Sequence, residues 1–173
     1  MSNPDIMRVG MIGLSRFGGY RRKTLRETGL FHIVAGFDIL PEAFEEARRE
    51  DGVEAAPSYE ALVERDDIEA VFIATGAKFH AGQAILAMER GKHVFIEKPL
   101  CATPEEVDGL AAVANRTGRL VGLGHADHRF SAEDQLIREY QRNGKVGDIA
   151  AIEVNTTHSG GLVTPADNWR FDP

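Results

Sequence analysis

At 173 residues the chain has room for one full α/β domain and a little more, and 43% hydrophobic residues are enough for an ordinary packed core. A formal net charge of −7 argues against a general nucleic-acid binder, which needs a basic face. A single cysteine, Cys101, excludes an intramolecular disulfide and fits a reducing compartment; a small apolar role after a strand is expected of it rather than catalysis.

The N-terminus, Met1 to Asp5, is polar and has no apolar core of signal-peptide type. No run approaches the ~18 apolar residues of a membrane span, so a soluble, cytoplasmic protein that touches no membrane is expected. The first strand is expected at Arg8–Ile12. It leads into glycines at Gly13 and Gly18, with a polar turn between them, and then a helix over Phe17–Glu27 closed by Gly29. A second strand, His32–Phe37, ends in Asp38. Pro41 opens a helix to Glu50, a short strand falls near Val53–Ala55, and Ser58 caps a helix through Glu64. The continuous apolar run Ile68–Ala74 suits a strand covered on both faces. A helix over Ala77–Arg90 stops at Gly91, and His93–Glu97 is the next strand. Thr103 is an N-cap followed by Pro104, Glu105 and Glu106, and that helix runs to about Thr117. Leu120–Gly124 is another strand, Ser131–Asn143 a helix, and Ile149–His158 alternates like a half-buried strand.

Alternating strands and helices with short connections imply a doubly wound parallel sheet, and about six strands before residue 126 is the Rossmann count. Residues 1–126 are therefore expected to form a Rossmann dinucleotide-binding domain. Asp127–Pro173 is expected to be the incomplete start of a second α/β domain, so the chain reads as truncated.

The turn carries the chemistry. A strand, a glycine turn and a helix N-terminus offer free N–H groups and a positive dipole end to a pyrophosphate. In the pattern G-x-G-x-x-G, Gly13 and Gly18 hold the first and last places, and Ser15 stands where the middle glycine belongs. Its hydroxyl could bond a phosphate, or its bulk could push the cofactor away. Asp38, about 20 residues beyond Gly18, is placed to bond the adenosine ribose. That favours NAD over NADP; Arg16 in the turn is the basic residue that could still accommodate a 2′-phosphate. The competing reading of Asp38 is a helix cap before Pro41. His125, Asp127 and His128 cluster, but nothing else completes a ligand set, and no metal site is expected.

Gly10–Gly18, Asp38, Ala74-Thr75, His80 and Glu97-Lys98-Pro99, in this order and spacing, resemble the Gfo/Idh/MocA family of oxidoreductases, which includes glucose–fructose oxidoreductase and inositol dehydrogenase. Arg129-Phe130, Gly144 to Gly147 and Trp169-Arg170 also sit where members carry similar residues. The resemblance implies a Rossmann domain followed by an α/β domain with an open sheet. It implies hydride transfer between nicotinamide and a sugar or polyol. It places Lys98 near the reacting hydroxyl, to orient it and help its proton leave. Pro99 would set the loop, and Glu97 would position Lys98 or contact the cofactor. Gly13, Ser15, Arg16, Phe17, Gly18, Asp38, Thr75, His80, Trp169 and Arg170 are the further cofactor-binding candidates. For His80 the alternatives are lining the nicotinamide side or capping its helix. Gly76 and Ala77 depart from the proline and asparagine common after the threonine. The family's catalytic D-x-x-x-H segment does not appear before Pro173, so the chain alone is expected to be inactive, and any homo-oligomer would form through the second domain. The alternative is a stand-alone dinucleotide-binding or regulatory module that pairs with a partner through Ile149–His158.

Overall fold

A computed structural model describes residues 6–125, 131–151, 153 and 155. The chain divides into two units, Met1–Arg129 and Phe130–Pro173.

The first unit is a six-stranded parallel sheet: β1 (Met7–Ile12), β2 (Phe31–Phe37), β3 (Glu54–Ala55), β4 (Ala70–Ile73), β5 (His93–Ile96) and β6 (Val121–Leu123), in the order β3-β2-β1-β4-β5-β6. This is the doubly wound Rossmann arrangement, with the reversal of strand order beside β1. The connecting helices are α1 (Phe17–Thr28), α2 (Pro41–Asp51), α3 (Tyr59–Val63), α4 (Ala77–Glu89) and α5 (Pro104–Thr117).

Side-chain alternation along the central strands builds two cores. Val71 and Ile73 of β4 join Ile12, Leu62, Ala84, Met88 and Leu110 under α3, α4 and α5. Ala70 and Phe72 join Val9, Met11, Leu25, Ala43 and Ala47 under α1 and α2. All four residues of β4 are buried, as a strand covered on both faces requires. Phe72 stacks on Phe95 at 5.0 Å and meets the edge of Phe31 at 5.6 Å, an aromatic row across the sheet.

The helices begin and end where their sequence punctuation stands. Ser58 accepts from the Ala61 amide, and Thr103 forms a reciprocal capping box with Glu106. Gly29, Gly52 and Gly118 close α1, α2 and α5 in the left-handed conformation. Arg22 of α1 is 1% exposed and ion-pairs with Asp51 at the end of α2, with Glu46 at 3.3 Å and Glu50 at 3.5 Å beside it.

The second unit has one described helix, α6 (Ala132–Arg142), capped by Ser131 through the Asp134 amide. The strand expected over Ile149–His158 is not formed at its described residues, Ile149 to Ala151, Glu153 and Asn155. The Asn155 amide instead donates locally to Glu153 at 2.9 Å. Alternation alone does not make a strand; ladder partners do.

Two predictions test this packing. Gly18→Ala would put a Cβ 2.2 Å from the Gly13 carbonyl oxygen, so chemical denaturation should show a loss of about 2–3 kcal/mol. Gly82→Ala, with nothing within 4 Å of the new atom, should gain about 0.5–1 kcal/mol from helix propensity. On the surface, hydrogen bonds from Arg65 and then Arg8 lower the Asp67 carboxyl to about 2. A depressed carboxyl contributes stability above its unfolded value near 4 and loses it as pH falls towards 2. Asp67 is partly exposed, so solvent screening leaves about 1 kcal/mol or less. The acid limb of a stability profile should flatten by that amount in Asp67→Asn.

Candidate cofactor site

In a parallel sheet all strands end on one edge, and the turns after β1, β2, β4 and β5 meet there. The turn after β1 depends on two absent β-carbons. Gly13 has φ 87°, and a Cβ on it would stand 2.7 Å from the Ala74 carbonyl oxygen. Gly18 sits against Gly13 itself, so α1 starts directly over the strand end. The Gly18 and Gly19 amides donate to the Ser15 carbonyl at 2.8 and 3.4 Å. Arg16, at the N-cap position, has φ 48°, a conformation that costs a side-chain-bearing residue on the order of 1–2 kcal/mol.

The backbone donors divide into two sets. Leu14 and Ser15 amides both donate to Asp38 Oδ2, at 2.7 and 3.0 Å. The amides of Arg16 and Phe17 meet no acceptor among the described residues, and the first turn of α1 carries no acidic side chain. An anion at this helix start would therefore find free N–H groups and no competing carboxylate. The donor set fits a pyrophosphate.

Asp38 does not cap α2. The N-cap position belongs to Leu40, whose amide donates to Asp38 Oδ1 at 2.9 Å. The carboxylate joins the end of β2 to the glycine turn. Two ionised oxygens offer about four acceptor positions, so capacity for ribose hydroxyls remains beside these three bonds.

Thr75 and His80 follow β4. The Thr75 hydroxyl lies 2.7 Å from Gln83 Oε1 and donates to it. His80 is 1% exposed; its Nδ1 is 2.8 Å from the Pro99 carbonyl oxygen and its Nε2 2.9 Å from that of Thr75. The ring lies inside the fold, and its nitrogens face carbonyls of the turns after β4 and β5.

Glu97, Lys98 and Pro99 leave the end of β5, with a cis peptide between Lys98 and Pro99. Glu97 is 5% exposed and ion-pairs with Arg21 of α1; its other oxygen accepts from the Lys98 amide at 3.3 Å. The Lys98 ammonium stands 5.0 Å from the centre of the Phe17 ring and makes no ion pair among the described residues. The Arg21 guanidinium lies 5.5 Å from Phe17, 5.8 Å from Tyr20 and 5.7 Å from Phe95. Phe17, the first residue of α1, thus brings the Glu97-Lys98-Pro99 segment to the glycine turn.

Two residues in this arrangement escape a sequence reading. Arg21 is legible only as the residue one helical turn beyond Phe17, and Gln83 only as one turn beyond His80. Cys101 packs partly buried against the core under α4 and α5, and burial and then Glu106 push its thiol up, as befits an inert side chain. Among the described residues there is no cluster suited to a metal, and no helix is long and apolar enough to cross a membrane. Trp169, Arg170, Asp127 and His128 lie outside the described residues.

Comparison with known proteins agrees with this geometry. An oxidoreductase of Bacillus subtilis, YfiI, itself uncharacterized, is 32% identical over 96% of this chain and 47% of its own length. A glycosyl hydrolase family 109 protein of Bacteroides thetaiotaomicron is 33% identical over 97% of this chain and 38% of its own. The crystal structure of scyllo-inositol dehydrogenase from Lactobacillus casei, with bound NAD(H) and scyllo-inositol, superposes with a TM-score of 0.75 at 29% identity, covering 83% of this chain and 43% of that one. The chain spans less than half the length of these relatives. Residues 7–125 match the model of the Gfo/Idh/MocA oxidoreductases with an NAD-binding Rossmann fold, and the chain belongs to that family.

Proposed function

We propose that this chain is the NAD(P)-binding part of an oxidoreductase that moves hydride between nicotinamide and a hydroxyl of a sugar or polyol. The observation that carries the proposal is the meeting of Lys98 and Phe17. It sets a lysine from the end of β5 beside the mouth of a glycine turn whose Arg16 and Phe17 amides are open to an anion. The inositol dehydrogenase relative, bound to NAD(H) and a polyol, supports the substrate class.

Each residue has a defined task in this reading. Gly13 and Gly18 let the dinucleotide backbone and α1 approach the strand end. The Arg16 and Phe17 amides and the α1 dipole hold the pyrophosphate. Asp38 accepts from ribose hydroxyls and, being anionic, disfavours a 2′-phosphate, with Ile39 and Leu40 beside it instead of a basic residue. Nicotinamide, when bound, supplies the hydride acceptor or donor. Lys98 orients the substrate hydroxyl and assists transfer of its proton. Thr75 shapes the opposite wall of the turn. Trp169 and Arg170 remain cofactor-binding candidates by resemblance alone, outside the described residues.

The chain alone should not turn over. Lys98 needs a proton acceptor, and the His80 nitrogens are occupied by two backbone carbonyls. Purified protein with NAD and a panel of polyols should produce no NADH. Turnover would sink this part of the reading, and a released sugar from a glycoside in the same panel would favour the hydrolase-like relatives instead.

Cofactor binding should survive. Titration with NADH, followed by fluorescence, should saturate. Asp38→Ala should bind about ten- to a hundredfold more weakly, as loss of charged hydrogen bonds implies, and should narrow any preference for NADH over NADPH. Ser15→Gly should bind several-fold more tightly, about 1 kcal/mol, if the Ser15 side chain crowds the diphosphate. No saturation at millimolar NADH in a folded sample would overturn the proposed function.

A further inference from the structure

Lys98 is held from two sides, and only one of them is explained by the cofactor turn. On the α1 side, Arg21 fixes Glu97 and Glu97 accepts from the Lys98 amide. On the α4 side stands His80, buried to 1% exposure and reaching two backbone carbonyls from two different turns. One of those carbonyls belongs to Pro99, the residue directly after Lys98.

A carbonyl oxygen only accepts, and a neutral imidazole has one N–H and one lone pair. At 2.8 and 2.9 Å the ring sits directly between the two carbonyls, and its N–H donates to one of them while the ring packs against the other. Charged groups on the packed elements are otherwise engaged or unpaired with the ring. Glu97 is held by Arg21, and Glu106 of α5 accepts from the Ala102 and Thr103 amides. Lys98 stands over Phe17, and Lys78 of the same helix stands over Phe79. The two carbonyls are the ring's partners.

We propose that His80 is a positioning residue for Lys98, its buried ring lodged between the Pro99 and Thr75 carbonyls and tying their two turns together. The tie joins the turn after β5 to the turn after β4, whose own Thr75 hydroxyl is anchored on Gln83. It sets where the lysine leaves the strand, and so where its ammonium meets Phe17. The importance of that position rests on the reading of Lys98 given above, but the tie itself can be examined without cofactor or turnover.

The test is nuclear magnetic resonance on the cofactor-free chain. With 15N-labelled histidine, the His80 ring N–H should exchange slowly with solvent, as a buried hydrogen-bonded donor does; fast exchange in a folded sample would overturn the proposal, and this measurement needs no substitution. The Lys98 ε-methylene protons, lying over the Phe17 ring, should be displaced upfield, and Phe17→Leu assigns that displacement by removing it. His80→Phe keeps a ring and removes its N–H donor; the upfield displacement should be lost while amide signals of β1 and β4 hold. His80→Gln, which still donates, should restore part of it. A folded His80→Phe protein with the Lys98 signal unmoved would also overturn the tie. Failure of NADH to bind while the His80 ring N–H is protected and the Lys98 displacement is intact would strike only the functional reading.

Discussion

Between the carbonyl oxygen of Gly13 and the α-carbon of Gly18 there is room for a hydrogen and nothing larger. That contact, with the similar approach of Gly13 to the Ala74 carbonyl, decides how close α1 comes to the ends of β1 and β4. The rest of the edge follows from it. With α1 seated so low, its first residue, Phe17, reaches the Lys98 side chain, and its next turn carries Arg21 to Glu97. The same seating leaves the Arg16 and Phe17 amides without acceptors among the described residues.

The charges on this edge are arranged so that each carboxylate is already matched. Asp38 is matched by three backbone amides, and Glu97 by Arg21. Among the described residues the Lys98 ammonium receives only the face of an aromatic ring. A ring quadrupole holds an ammonium more weakly than a buried carboxylate would, so the lysine is located without being neutralised. A net charge of −7 over the whole chain therefore says little about this edge, where an anion meets donors rather than acids.

Most of the fold was legible because its signals are local. Gly29, Gly52, Gly118, Ser58 and Thr103 mark helix ends by side-chain chemistry that needs no knowledge of the tertiary structure. The apolar run through β4 reads as a two-sided strand for the same reason. The glycine turn, Asp38 and the Glu97-Lys98-Pro99 segment were found by spacing. What spacing misses is who holds them. Asp38 engages the turn amides across 23 and 24 residues, and Glu97 meets Arg21 across 76; no periodicity encodes such pairs. The burial of His80 and its two carbonyl contacts leave no mark in the sequence, because an exposed histidine and a buried one are the same letter. Ile149 and its neighbours alternate as a strand would, yet alternation describes a face and not a hydrogen-bonding partner.

Arg22 carries a consequence for how the domain assembles. A guanidinium at 1% exposure is tolerable only with Asp51 already in place, and Asp51 is the last residue of α2. Docking α1 alone would strand a cation in an apolar layer, and docking α2 alone would strand an anion. The first two helices, with β2 between them, are therefore coupled into one cooperative unit that forms or melts together. The glycine turn after β1 is the leading edge of that unit. A weakness at Asp51, more than 30 residues from Gly18 in the chain, would reach the Arg16 and Phe17 amides through loss of the whole unit rather than through any path of contacts.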